Sequence, residues 1–547
     1  MGFQDRKSNE FHAYAIIRST MAYDYLIKNA TIIDGTGREP YAGDLAIKGD
    51  KIVLVGEIAD SAKHVIDAQN SFVAPGFIDI TNHSDTYWTL FSAPFQESMV
   101  AQGVTTIIGG NCGASLAPLA SAEAIRSIQK WTPLPEVNVN WSTLGEFLNV
   151  VEDTGIGVNF GTLVGHSTLR RGIVGDEIRA LSQEELSKMS YLLEQALNEG
   201  AFGISTGLVY AHGKYTSQDE LVFLAKVASA KKRIYATHLR SEGRHVLSAV
   251  DEVIKVSEEG DVRAHISHFK VVGKRNWAQF SKALTLLNRA RSRGVDITFD
   301  VYPYRSTGSL LYLFLPDWVL KGGKEEILMR LRDRDLRSKI IKQISENSLP
   351  YDRIFIADAL RSREETAIGK SISELAIAFQ KSPEETVIDL LVGHDLHVVT
   401  LQLGEISLKN LKLAATHRAS VFSSDGAGYD ASYEKRNILV HPRSFAAFPR
   451  VLKQFSHEKK WLLLKDAIAK MTSNTASLLG LTHRGRIDKG FFADLVVFNA
   501  DTISDEASYS SPYHYPNGID YVFINGELAL RDGQLTKTRS GRVLRAV

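Results

Sequence analysis

A chain of 547 residues, 44% of them hydrophobic and 23% charged, is too long for one small domain and has the composition of a folded globular protein. Its formal net charge of +1 gives no electrostatic basis for binding nucleic acid or a membrane surface, and no apolar run approaches the roughly 20 residues of a membrane-spanning helix. Chemistry on a small molecule, in the cytoplasm, is the class these totals leave.

The opening stretch, MGFQDRKSNEFHAYAIIRST, lacks a long hydrophobic core and a small-residue cleavage pattern, so residues 1–20 read as an upstream extension and not as a secretion signal. From 22 to 74, short strands alternate with turn signals: YLIKNATIID, GTGREPYAG, DLAIKGDKIVLVGE and HVIDAQNSFVAPG. The same style returns in RGRIDKGFFADLVVFNA, YVFINGELALRDGQL and GRVLRAV. Residues 22–74 and 481–547 are therefore expected to pair as one small β-sandwich domain, with 75–480 inserted between them.

The central span alternates strand and helix patterns, which predicts an α/β fold with a parallel sheet. Eight apolar runs end on polar or glycine residues: FIDIT, TTIIGG, VNFGTLVG, AFGIST, RIYATH, AHISH, DITFDVY and ASVFSSD. Eight such strands predict a (β/α)8 TIM-type barrel. Helices are expected in SQEELSKMSYLLEQALNEG and WAQFSKALTLLNRARSRG, where apolar positions recur three and four apart and a glycine closes the run. Residues 303–418, between the seventh and eighth strands, exceed what one βα unit needs. Their charged helical patterns predict a helical insertion over the barrel mouth.

Active sites of such barrels gather at the C-terminal ends of the strands. There the sequence delivers His83, Cys112, His238, His268 and Asp425, from the first, second, fifth, sixth and eighth strands. Cys112 is the only cysteine, so it forms no internal disulfide; a buried small hydrophobe is its bland reading, but it follows a strand where a loop begins. A thiolate with two imidazoles suits Zn²⁺, which in catalytic sites keeps a fourth position for water and lowers that water's pKa to about 7. Asp425 could hold and deprotonate this water, then pass the proton to a leaving nitrogen. The chemistry expected is hydrolysis of an amide-like bond, with zinc-bound hydroxide as nucleophile. His166, after the third strand, receives no role.

The strings VAPGFID, VAQGVTTIIGGNCG, LVGHSTLR, EGAFGISTGLVY, THLRSEG, ISHFK, DVYPY, SSDG, HPRSFAAFPRVL and GFFADLVVFNA resemble the D-aminoacylase (N-acyl-D-amino-acid deacylase) branch of the amidohydrolase superfamily, in family order and over nearly the whole chain. The resemblance implies one tight zinc on Cys112, His238 and His268, and a catalytic aspartate at Asp425. It also implies substrate contacts from Lys270, Tyr302 and Arg443, the last to a carboxylate. The substrate it implies is a small N-acyl amino acid, and the D-configuration rests on the resemblance alone. At the first strand the family's His-x-His is Thr81-Asn82-His83 here, which predicts that a second metal position is weak or absent and leaves His83 as a catalytic hydrogen-bonding residue. Two other readings stay open: a binuclear cyclic amidohydrolase of the hydantoinase or dihydroorotase kind, and a non-catalytic barrel that binds a ligand.

Overall fold

The computed structural model of the chain describes residues 23–121, 124–125, 137–347, 349–359 and 367–547; the extension expected over 1–20 lies outside them. Eight parallel strands follow one another around a barrel in chain order: Phe77–Asp79, Val104–Gly109, Asn159–Thr162 continued by Val164–Gly165, Gly203–Gly207, Ile234–His238, Ala264–Ile266, Ile297–Val301 and Ser420–Phe422. All but a few of their residues are buried, as parallel strands covered on both faces require. The third strand breaks at Leu163, so that its first part pairs with the second strand and its last two residues with the fourth.

Closure joins the first strand to the eighth just beyond their regular ends. His83 N donates to Gly426 O at 2.7 Å and Asp425 N to Thr81 O at 2.9 Å. Asp79, wholly buried, reinforces the seam: it accepts from Ser424 N at 2.8 Å, from the Ser424 hydroxyl, and from Asn82 Nδ2 at 2.9 Å. The seam thus fixes Asp425 relative to His83.

The expected helices are present as Gln183–Asn198 and Gln279–Ser292. The first starts in a capping box, in which Ser182 accepts from Glu185 N while Glu185 turns back to the Ser182 backbone, satisfying two otherwise unpaired donors.

Strands from both ends of the chain form one nine-stranded sheet. Phe72–Pro75 pairs antiparallel with Leu495–Phe498, Val73 facing Val497. At the far edge Ile52 N donates to Phe491 O, and Ala493 N to Asp50 O, both at 2.9 Å, so the sheet folds back on itself around Ile27, Leu45, Ile47, Val73, Leu495 and Phe523. GRVLRAV, expected with this sheet, leaves it. Leu544 N donates to Phe160 O at 2.7 Å and Ala546 N to Gly200 O at 2.9 Å, while Leu544 and Ala546 pack on the apolar cluster of Ile78, Ile108, Leu163 and Phe202. Hydrophobic burial against the barrel draws the segment away from its expected partners.

The insertion after the seventh strand is helical over much of its length, in Gly323–Arg332, Arg334–Glu346, Ile372–Phe379 and Pro383–Gly393. These helices are organised on a three-stranded antiparallel sheet, Thr307–Leu310, Val398–Gln402 and Ile354–Ala359, which the charged helical pattern does not disclose. Its apolar core, including Leu310, Ile340, Ile356 and Ile388, is continuous with Cys112 and Tyr210 of the barrel, which seats the insertion on the barrel mouth. Among the described residues no helix is long and apolar enough to cross a membrane.

Asp79→Ala strands the Ser424 and Asn82 donors inside the barrel. It should lower stability by about 1–3 kcal/mol, seen as a lower urea midpoint at unchanged m-value.

Candidate active site

The turn that carries Cys112 is held from several sides. Gly110 N donates to Asp85 Oδ2 at 2.6 Å, Gly113 N to Ser205 Oγ at 3.0 Å, and Asn111 Nδ2 to Ile108 O at 2.8 Å. Gly110 has φ +71°, and a Cβ there would stand 2.0 Å from Leu163 O, so this position admits only glycine. Cys112, His268 and Asp425 themselves have φ of 53°, 39° and 49°. Left-handed backbone at non-glycine residues costs energy and persists where the surroundings fix it; it clusters at functional sites.

One donor atom each from Cys112, His238 and His268 lies within 4.8 Å of the other two. Cys112 Sγ stands 3.4 Å from His268 Nε2. Two ligands of one tetrahedral zinc, at Zn–S and Zn–N lengths of ~2.3 and ~2.0 Å, are about 3.5 Å apart, so this pair matches such a centre. Burial pushes the Cys112 thiol well up and the His238 imidazole down to about 3. His238 is therefore neutral, as a ligand must be, and its buried Nδ1 has no hydrogen-bond partner among the described residues. A cation among the three donors would offset the cost of a buried thiolate. The donor set fits zinc.

A carboxylate that the sequence reading did not single out stands beside these donors. Glu242 Oε1 lies 2.6 Å from Lys270 Nζ and 3.1 Å from His268 Nδ1, and Lys270 Nζ is 2.9 Å from the same nitrogen. Against the upward push of burial, the Lys270 ammonium and the hydrogen bond from His268 hold Glu242 well below the usual carboxylate range. Its position four residues after His238, in THLRSEG, was the available signal.

Asp425 forms the other half of the site. Its Oδ1 is 3.1 Å from His83 Nε2 and its Oδ2 2.6 Å from Arg443 Nη1. Burial alone would raise this carboxyl, but Arg443, His268 and His83 together hold it well below its ordinary value. His83 Nε2 also lies 3.9 Å from Cys112 Sγ, which links the two halves. Arg443 opens the helix Arg443–Arg450 just after Pro442, and its guanidinium stacks 4.7 Å over the Tyr302 ring, with Lys270 Nζ 5.6 Å from the same ring. All eight residues singled out from the sequence thus meet at one end of the barrel.

Thr81 turns away from the three donors. Its hydroxyl donates to Asp300 Oδ2 at 2.8 Å; the same oxygen faces His265 Nε2 at 2.9 Å, and Asp300 Oδ1 accepts from His268 N at 2.9 Å. Asp300 therefore ties the residue replacing the missing histidine to the backbone of His268. His166 faces Glu220 at 2.8 Å, and Glu220 also takes Arg170, a buried cluster outside the donor set.

A closed parallel barrel with these groups at its strand ends is the architecture of a metal-dependent hydrolase. The chain belongs to the amidohydrolase family, whose pattern it matches over residues 64–352 and 408–528. Within that family it is a member of the D-aminoacylase branch: it is 32% identical to the D-aminoacylase of Alcaligenes xylosoxydans xylosoxydans over 95% of this chain and 97% of that one. Its structure superposes with a TM-score of 0.80 on the N-acyl-D-glutamate deacylase of Bordetella bronchiseptica in complex with zinc and a phosphonate mimic of the tetrahedral intermediate (28% identity, 96% of this chain, 100% of that one). A D-aminoacylase whose binuclear metal centre shows one-metal activation and second-metal attenuation gives the same score at 30% identity, again over 96% and 100% of the two chains.

Carboxylates that orient a metal-bound histidine typically set affinity by 10- to 100-fold, so Glu242→Gln should weaken zinc binding by about that factor. Competition against a chromophoric chelator measures it.

Proposed function

We propose that this enzyme hydrolyses the amide bond of N-acyl-D-amino acids, with a single tight zinc on Cys112, His238 and His268. The observation that carries the reading is the meeting of this donor set with Asp425, which is buried, ionised and in contact with both His83 and Arg443. Zinc bound there would acidify a water to about pKa 7 and polarise the scissile carbonyl.

The chain's own residues supply the rest. Asp425 Oδ1 takes the proton of the attacking water and returns it to the departing amine, which makes it base and then acid. His83, beside the same oxygen, orients the carboxylate. Arg443 presents a planar guanidinium in which one nitrogen is spent on Asp425; the remaining N–H groups suit a substrate carboxylate, and stacking on the Tyr302 ring orients the fork. Lys270, held charged by Glu242 against the downward push of burial, adds positive potential beside His268. The D-configuration and the N-acyl amino acid are supported by what the relatives are named for.

The binuclear cyclic amidohydrolase reading needs a bridging lysine at a strand end. The third and fourth strands end in Val164–Gly165 and Gly203–Gly207, with none. Thr81, bonded to Asp300, offers no imidazole to a second ion. A ligand-binding barrel without activity would have no use for Asp425 as it is placed here.

Protein purified without added metal should carry about one zinc per chain, lost in Cys112→Ala but kept in Asp425→Asn. The latter should lose 10²–10⁴-fold in kcat, roughly the usual worth of a general base. Arg443→Lys keeps the charge but not the fork and should raise KM for N-acetyl-D-amino acids by about tenfold, some 1.4 kcal/mol of carboxylate binding. Steady-state kinetics on the metal-assayed variants checks both.

A further inference from the structure

Two chambers meet at Asp425 and Arg443. The smaller, of about 170 Å³, holds the candidate metal donors and is walled by Val209, Tyr210, Leu313 and Phe314. The larger, of about 330 Å³, opens on the other side of the pair, between the eighth strand's loop and the sheet of the insertion. Tyr87 and Gly308 line both, so a substrate lying across Asp425 reaches into each. On the deacylase reading, the acyl group lies with the donors that face its carbonyl. The substrate carboxylate at Arg443 then directs the side chain borne by the same carbon into the larger chamber.

That chamber is walled by Tyr429, Tyr433, Leu401, Val399 and Leu439, and carries one carboxylate at its far side, Asp358. A β-bulge puts it there. In the insertion sheet Ile356 faces Thr400, but Asp358 faces Val399, so one extra residue, Ala357, is accommodated between them. Without the bulge Asp358 would face Val398 and point into the insertion's apolar core, which holds Ile356 and Val398. With the bulge it shares a face with Val399 and Leu401, and the backbone there is tied to the opposite wall by Leu439 N donating to Ala357 O at 2.8 Å. Bulges that re-aim a side chain recur next to active sites.

Burial pushes the Asp358 carboxyl up to about 6, and among the described residues only the Ala359 backbone offsets that cost. It is ionised at pH 8. The other charges on this chamber are committed elsewhere: Arg443 pairs with Asp425, and Arg436 stacks 3.8 Å over the Tyr433 ring at the rim. Aromatic faces around a carboxylate recognise organic cations.

We propose that the larger chamber receives the substrate's amino-acid side chain and selects one that ends in a cation, an ammonium or guanidinium, through Asp358. This rests on the deacylase reading and adds the side-chain class.

The test compares N-acetyl-D-lysine, N-acetyl-D-norleucine and N-acetyl-D-glutamate at pH 8 on the zinc-loaded enzyme. The lysine compound should exceed its neutral counterpart in kcat/KM by about tenfold, the worth of one charge-assisted contact. In Asp358→Asn, an isostere that keeps the bulge, this ratio should fall to within about twofold. Val399→Lys, which sets an internal cation opposite Asp358, should collapse it in the same way. A norleucine compound that is equally good, a ratio unmoved by both variants, or a preference for the glutamate compound abolished by Arg436→Gln would each overturn the assignment. Hydrolysis of none of the three overturns the deacylase reading instead. Calorimetric binding then still decides the chamber: tighter binding of the lysine compound, lost in Asp358→Asn, supports it, and equal binding of all three refutes it.

Discussion

Everything at the barrel mouth depends on the seam between the first and eighth strands. The two are far apart in sequence, separated by six strands and the whole insertion, yet the seam consists of a few hydrogen bonds around Thr81, His83, Asp425 and Gly426 and the buried Asp79–Ser424 contact. It sets the distance from His83 to Asp425, and with it the orientation of the proposed base. The eighth strand shares one parallel sheet with the fifth and sixth, which places its carboxylate beside their histidines; the seam brings His83, from the first strand, to that carboxylate.

The charges gathered there are mutually dependent. Asp425 is held ionised by Arg443, Lys270 by Glu242, and Glu242 in turn stands against His268. A buried ion pair adds little to stability by itself, but removing one partner leaves an uncompensated charge that costs about 3–5 kcal/mol. The site therefore tolerates paired change better than single change. Its strained backbone is carried at Cys112 and His268 by the clamps from Ser205, Asp85 and Asp300, and at Asp425 by the hydrogen bond from its N to Thr81 O.

Much of this was legible in the sequence, for physical reasons. Parallel strands are buried on both faces and read as short apolar runs, so the sequence marks their ends and the chemistry-bearing residues on them: His83, Cys112, His238, His268 and Asp425. Arg443 and Tyr302 came through motif resemblance and reach the site because of a helix start and a strand end. Other features depend on long-range contacts that leave no local pattern. Thr81 reads as an absent ligand, and only the fold shows it bonded to Asp300. The insertion's strands, such as Thr307–Leu310, are short and partly polar, and a one-residue bulge at Ala357 decides which face Asp358 takes. GRVLRAV has a strand-like pattern that two environments could satisfy; the barrel's underside wins through the backbone bonds to Phe160 and Gly200 and the packing of the half-buried Leu544.

The folded-back terminal sheet has a consequence for how the chain is made. Phe72–Pro75 leaves the ribosome early, but its neighbour Leu495–Phe498 emerges only after the whole barrel and insertion have been synthesised. Through most of translation the nascent N-terminal strands expose an unpaired edge and an apolar face, the kind of surface that chaperones hold and that recruits other chains when they do not. Completion of the sheet is thus a late, long-range event, and the contact order it imposes makes folding slow relative to a barrel of sequential βα units alone.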